Sequence, residues 1–324
     1  MKAMYEKILS HLKGKNDVIL LTLYKTSGST PRKAGAKMAY FCDGTTAGTV
    51  GGGAIEFECT KLCEKAVAND FPFSKDFTLN NAEAGNIGMV CGGSASIFFQ
   101  LLKADKKTIS LFERVYSCLE RNEKAYLKTS LNNGEIKFIG AENEDNKSDI
   151  LGKSPTLYEE KNLFFEPLSF GSTVYIFGGG HVSQALCKML SFTDFYVVIY
   201  EDNEKFCEKS LFPNAKKIIS ADFLKINENI SITENDYCVV LTRGHKSDND
   251  VLKQIMSKHP SYLGVIGSKK KVVFMKDYLK SCGFTENEIE KIHSPIGIPI
   301  NAVTPSEIAV SITAELIKHR NILL

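Results

Sequence analysis

Residue types able to do chemistry gather in a few short segments of this 324-residue chain. The first is Gly178-Gly179-Gly180-His181, between an apolar run, Val174 to Phe177, and an apolar periodic stretch that follows. A strand that enters a tight glycine turn and leaves as a helix offers unpaired N–H groups to an anion. Gly178 suits the turn, and Gly180 lets backbone approach a phosphate. The third glycine position of the pattern is Ser183. A second apolar run, Phe195 to Tyr200, ends at Glu201-Asp202, and a carboxylate there suits a ribose hydroxyl. Two further segments follow predicted strands: Thr242-Arg243-Gly244-His245 with Asp248 one helical turn on, and Gly267-Ser268-Lys269-Lys270, where Ser268 suits a helix N-cap. Open α/β sheets bind ligands outside the carboxyl ends of their strands, so these four segments are expected to converge on one edge. Plainer roles stand beside these. Glu201 also suits a strand-end surface acid, Arg243, His245 and Asp248 a solvated loop with local capping, and His181 a helix cap.

In the first half, Cys91 lies in Val90-Cys91-Gly92-Gly93, a glycine turn ahead of a strand. Neighbouring N–H groups there stabilise a thiolate or accept an anion; the alternative is a buried structural thiol. Arg32, after Thr30-Pro31, is a candidate anion clamp or an ordinary exposed arginine. Cys59 and Cys63 are four apart on a predicted helix and share a face, but no further ligand spacing supports zinc. His259 and His319 fall at predicted helix ends, where a cation is favourable.

The elements that must position these residues read as two domains, 1–168 and 169–324. The second alternates strands at 174–178, 195–200, 216–219, 237–241 and 262–266 with helices at 181–191, 247–257, 269–281 and 306–319. That order predicts a Rossmann-like parallel sheet with helices on both faces. Thr304-Pro305-Ser306-Glu307 is a capping box that starts the last helix. The first domain reads as mixed α/β, from a short amphipathic helix over 1–14 through hairpins and a helix opened by Gly51-Gly52-Gly53.

Composition narrows the function classes. A net charge of +2 gives no case for nucleic acid or an anionic membrane surface. No run of 18 apolar residues is present, and the N-terminus lacks a signal-peptide core. Nine scattered cysteines without a C-x-x-C pair are expected as reduced thiols in a cytoplasmic protein.

Several strings together carry a resemblance. They are Gly28-Ser29-Thr30-Pro31-Arg32, Gly35-Ala36-Lys37-Met38, Gly48-Thr49-Val50-Gly51-Gly52-Gly53-Ala54-Ile55-Glu56 and Cys91-Gly92-Gly93. The second half adds Ile176 to His181, Thr242 to Asp248, Gly264 to Ser268, Ser294-Pro295-Ile296-Gly297 and Thr304 to Ile312. The chain resembles the XdhC/CoxI family over nearly its whole length. The resemblance implies an accessory factor for xanthine dehydrogenase and related molybdenum hydroxylases. Such a factor binds the molybdenum cofactor, protects it during sulfuration and delivers it to the apoenzyme. It implies a homodimer working with a cysteine desulfurase and the hydroxylase, with Cys91 on or beside molybdenum and the glycine turns on the cofactor phosphate. Two departures are visible: the family often has an aspartate pair and an arginine after the second strand, where this chain has Glu201-Asp202-Asn203, and often an alanine at the middle of the glycine turn, where this chain has Gly179. Two other readings of the residues stay open, an NAD(P)-dependent oxidoreductase and a nucleotide-sensing regulatory module. No hydride-transfer pair is evident in the first half.

Overall fold

The structure is a computed structural model that describes residues 1–65, 71–78, 92–140 and 154–323. The chain divides into two compact units, Met1–Phe170 and Gly171–Leu324.

The first unit starts with α1 (Lys2–Lys13), whose Met4, Tyr5, Ile8 and Leu12 recur at helical spacing and are buried. Next come β1 (Val18–Ser27), β2 (Lys37–Phe41), β3 (Thr46–Gly48), α2 (Gly53–Lys65), β4 (Phe73–Thr78) and β5 (Ser94–Leu102). These strands form one antiparallel sheet in the order β3-β2-β1-β5-β4. Alternation along β1 separates two cores. Val18 and Leu20 join a cluster with α1 and with Phe112 and Val115 of α3 (Lys106–Arg121). Leu21 and Leu23 face Ile55, Cys59 and Cys63 of α2 on the other side. Both cysteines are buried, and desolvation pushes the Cys63 thiol up to about 12, so they pack as small apolar residues.

A second antiparallel sheet follows α3. It consists of β6 (Ala125–Ser130), β7 (Ile136–Gly140), β8 (Thr156–Tyr158) and β9 (Leu163–Ser169) in the order β7-β6-β9-β8. Lys37 ties the two sheets together: its Nζ donates to Thr22 Oγ1 at 2.7 Å and lies 2.8 Å from Glu166 of β9. The lysine of the Gly35–Met38 string is thus a buried structural cation.

The second unit is a parallel sheet in the order β12-β11-β10-β13-β14. Its strands are β10 (Thr173–Phe177), β11 (Tyr196–Glu201), β12 (Lys217–Ser220), β13 (Tyr237–Val240) and β14 (Tyr262–Val265). Pairing is parallel throughout. Val174 and Ile176 point to a core shared with α4 (His181–Phe192) and with α9 (Pro305–Leu323). Phe177 points to the opposite core, under α6 (His245–Ile255) and α7 (Lys269–Ser281). The short α5 (Ile226–Asn229) lies between β12 and β13. The box at Thr304–Glu307 forms: Glu307 Oε2 accepts Thr304 N–H at 2.8 Å, and Thr304 Oγ1 accepts Glu307 N–H at 3.3 Å. A second box, Thr285 with Glu288, starts α8 (Glu286–Glu290), a helix too short for the periodicity to reveal. His319 departs from its expected role as a helix-end cation. It sits between Tyr237 and Tyr262 rings, with Nε2 3.2 Å from Ser261 Oγ.

Candidate functional site

In the second unit the glycine turn joins β10 to α4, and its three glycines do different work. Gly178 has φ +113°, and a Cβ there would collide with the Leu241 carbonyl at the end of β13. Gly179 lies against Phe206, and its N–H donates to Glu201 Oε2 at 2.5 Å. Gly180 is the N-cap of α4, and a Cβ built on it meets nothing within 4 Å. No side chain caps α4, so its first N–H groups keep their affinity for an anion. His181 is the first helical residue and is exposed; it is not the cap. Ser183 is fully buried, and its hydroxyl has no hydrogen-bond partner among the described residues.

Glu201 is 2% exposed and turns inward. Besides Gly179 N–H, it accepts Asn203 N–H at 3.0 Å and lies 3.5 Å from the Arg243 guanidinium. Burial raises its pKa, and contact with Asp202 adds to the rise; the two N–H donors and Arg243 oppose it. Asp202 itself is exposed. Arg243 also lies over Phe206, its Cζ 3.5 Å from the ring centroid. Asp248 is buried and accepts the Thr242 hydroxyl at 2.5 Å, closing the same loop. Ser268 caps α7 by accepting Lys271 N–H at 3.4 Å, and Gly267 precedes it. These segments all follow the carboxyl ends of parallel strands; Glu201 contacts both Gly179 and Arg243, and Gly178 packs on Leu241 ahead of the Arg243 loop. The side chain of His245 lies outside the described residues.

In the first unit the sheet register gathers other strings. Ser27 ends β1 opposite Ser94, the first residue of β5. β2 begins at Lys37 and β3 ends at Gly48, opposite Met38. The loops 28–36, 49–52 and 92–93 therefore leave the same end of the sheet. There Gly28 has φ +67°, and a Cβ on it would lie 2.9 Å from the Gly92 carbonyl. A Cβ on Gly93 would lie 2.6 Å from the Ser27 carbonyl, and nearer still to that of Ser29. Only glycine permits this backbone-on-backbone contact. Gly92 and Arg32 are exposed at the same end. Cys91 lies outside the described residues.

Two contributors have no assigned role in the sequence reading. Glu56, in the first turns of α2, gathers the Gly51–Gly53 turn onto one oxygen. Its Oε1 accepts the Thr49 hydroxyl at 2.5 Å, Val50 N–H at 3.1 Å and Gly52 N–H at 3.0 Å. Burial pushes its pKa up, but these donors outweigh it and the net shift is downward. An acid in the first helical turn behind a glycine run is the signal for it. Phe206 has no such signal, because its partner Arg243 is remote in sequence.

Comparison with known proteins accords with this architecture. A family model described as the XdhC Rossmann domain matches residues 174–316, and one described as the XdhC and CoxI family matches residues 11–72. A protein of Bacillus subtilis (strain 168) described as a probable xanthine dehydrogenase subunit is 24% identical, with 95% of each chain covered. The uncharacterized protein YqeB of Escherichia coli (strain K12) is 23% identical; the match covers 91% of this chain but 42% of that protein. A crystal structure described as a xanthine dehydrogenase from Bacillus halodurans superposes with a TM-score of 0.78 at 25% identity, covering 98% of this chain and 96% of that one. With both halves matched by its models and the Rossmann-like sheet in place, the chain belongs to the XdhC and CoxI family.

Proposed function

We propose that this protein is a maturation factor for xanthine dehydrogenase or a related molybdenum hydroxylase. It binds the molybdenum cofactor, shields it while a cysteine desulfurase supplies sulfur, and passes it to the apoenzyme. The chain acts by capture and hand-off, as a homodimer in the cytoplasm. The observation that carries this reading is the open cradle at Gly180: helix N–H groups without a side-chain cap, and space where a Cβ would stand. That donor set fits the phosphate of a pterin cofactor. Family membership favours this cargo over a free nucleotide. An NAD(P) dinucleotide is the second reading, favoured by Glu201 at the end of β11. Here its carboxylate is engaged with Gly179 and Asn203 N–H rather than open to a ribose.

Cys91 is the proposed soft ligand for molybdenum, since thiolate is the softest donor a side chain offers. The loop containing Gly92 and Gly93 packs on Gly28 and Ser29, and Arg32 stands exposed beyond them as a clamp for an anionic ligand. The test has two parts. Protein purified from a host that makes the cofactor is denatured and the released compound identified: oxidised pterin supports the proposal, NAD(P) the second reading. Cys91→Ser is then expected to fold normally yet fail to activate apo-xanthine dehydrogenase in reconstitution, whereas Cys59→Ser activates. Full activation by Cys91→Ser would remove the thiol from the mechanism.

A further inference from the structure

We infer that the first unit holds a separate ligand site, for a phosphorylated aromatic heterocycle of nucleotide size. It lies in the cleft between the end of β5, the first turns of α3 and the four-stranded sheet. The cleft measures about 1150 Å³. Small-molecule sites commonly span roughly 300–1,000 Å³, so a nucleotide fits with water to spare.

Its charge is one-sided. Lys103, Lys107, Arg114, Lys128, Lys137 and Lys161 line it, against the acids Asp105 and Glu135. Both acids are already engaged. Asp105 caps α3 by accepting Thr108 N–H at 2.8 Å, and Glu135 lies 3.7 Å from Lys137. The other five cations have no carboxylate within ion-pair distance among the described residues. In a chain whose net charge is only +2, that concentration creates a local field for an anion.

The aromatic lining decides what kind of anion. The Arg114 guanidinium lies 4.7 Å from the Phe138 ring centroid, and Lys128 Nζ lies 5.5 Å from that of Phe165. Tyr158 packs edge-on against Phe165 at 5.1 Å. Phe138, Phe165 and Tyr158 are each half-buried and line the cleft. Apolar ring surface beside cations that have no carboxylate partner among the described residues suits a ring system that stacks while its phosphates meet Lys and Arg. A bare anion would leave the rings unused. The site is distinct from the loops around Gly28 and Gly92. β5 begins at Ser94 beside those loops and reaches the cleft at its other end, near Leu102. At strand rise this is a separation of about 27 Å.

The test is titration calorimetry on the full chain carrying Gly180→Val, so that any binding at the glycine turn of the second unit is suppressed. ADP, adenosine and pyrophosphate are the probes. ADP is expected to bind with Kd below about 1 mM. Adenosine and pyrophosphate are each expected to bind more weakly, because each offers half of the contacts. Arg114→Ala and Lys128→Ala should each weaken ADP about tenfold. Phe138→Leu should weaken ADP about fivefold and leave pyrophosphate unchanged. Circular dichroism confirms that each variant is folded. Absence of ADP binding, equal ADP affinity in folded Arg114→Ala and Lys128→Ala, or pyrophosphate binding as tightly as ADP would overturn the inference. Because the readout is substitution within the cleft, it is separate from the fate of the cofactor reading.

Discussion

Gly178 and Gly180 stand two residues apart in one turn, yet substitution should separate folding from binding. At Gly178 an alanine must hold φ near +113° and place its Cβ into the Leu241 carbonyl. Backbone strain of this kind costs about 1–3 kcal/mol. The clash is with main chain of a neighbouring strand end, which cannot swing aside as a side chain would, so about 3–5 kcal/mol in total is expected. In a unit of this size that lowers Tm by on the order of 10 °C. At Gly180 φ is −68°, ordinary for any residue, and a Cβ meets nothing within 4 Å. Gly180→Val gives up only the preference for glycine over a branched residue at the N-cap, about 1 kcal/mol. Its cost falls on the ligand, because the side chain stands where a phosphate must approach the helix N–H groups. The assay pairs thermal unfolding with the amount of pterin that co-purifies. Gly178→Ala should melt early. Gly180→Val should melt within about 3 °C of the parent and carry little or no pterin. Full pterin retention by a folded Gly180→Val would refute the assignment, and a Gly178→Ala that melts like the parent would refute the steric argument.

Three more expectations follow from the same geometry. Arg243→Ala takes away both the cation near Glu201 and the lid on Phe206; retention of pterin should fall severalfold with less than about 1 kcal/mol lost in stability, since the side chain is half exposed. Glu56 has a folded pKa below its unfolded value, so its contribution is present above the unfolded value, near pH 4, and is lost as pH falls through the folded one. Urea melts between pH 6 and about pH 3 should therefore show less acid sensitivity in Glu56→Gln than in the parent, with about 1 kcal/mol lost at pH 7. Ser183→Ala removes a buried hydroxyl that has no partner among the described residues and should raise stability by about 1 kcal/mol in a chemical melt; a drop of that size would show that the hydroxyl is bonded.

The second unit was legible because its signals are local. Apolar runs of strand length, a glycine turn, acids at a strand end and a capping box each act within a few residues. The parallel order follows from alternation and from the handedness of crossovers, so the Gly178, Glu201 and Arg243 loops had to meet at one edge. What sequence could not specify is what each side chain does on arrival. Glu201 became the acceptor that holds Gly179, and Arg243 took up position on Phe206, because packing brought residues some forty positions apart within contact. In the first unit the recurring strings were visible, but their meeting was not. Antiparallel pairing of β1 with β5, remote in sequence, puts the Gly28 and Gly93 loops backbone to backbone. The cationic cleft was equally hidden. Its lysines are scattered from residue 103 to 161 and are unremarkable one by one; only the approach of a helix start to a second sheet makes them a single field. Sequence by itself determined the elements and their local caps, where each choice is settled within a turn or a strand. Tertiary structure alone decided which charges are paired, which glycines are close-packed and which cavities remain, since those depend on distances the chain sets only when it folds.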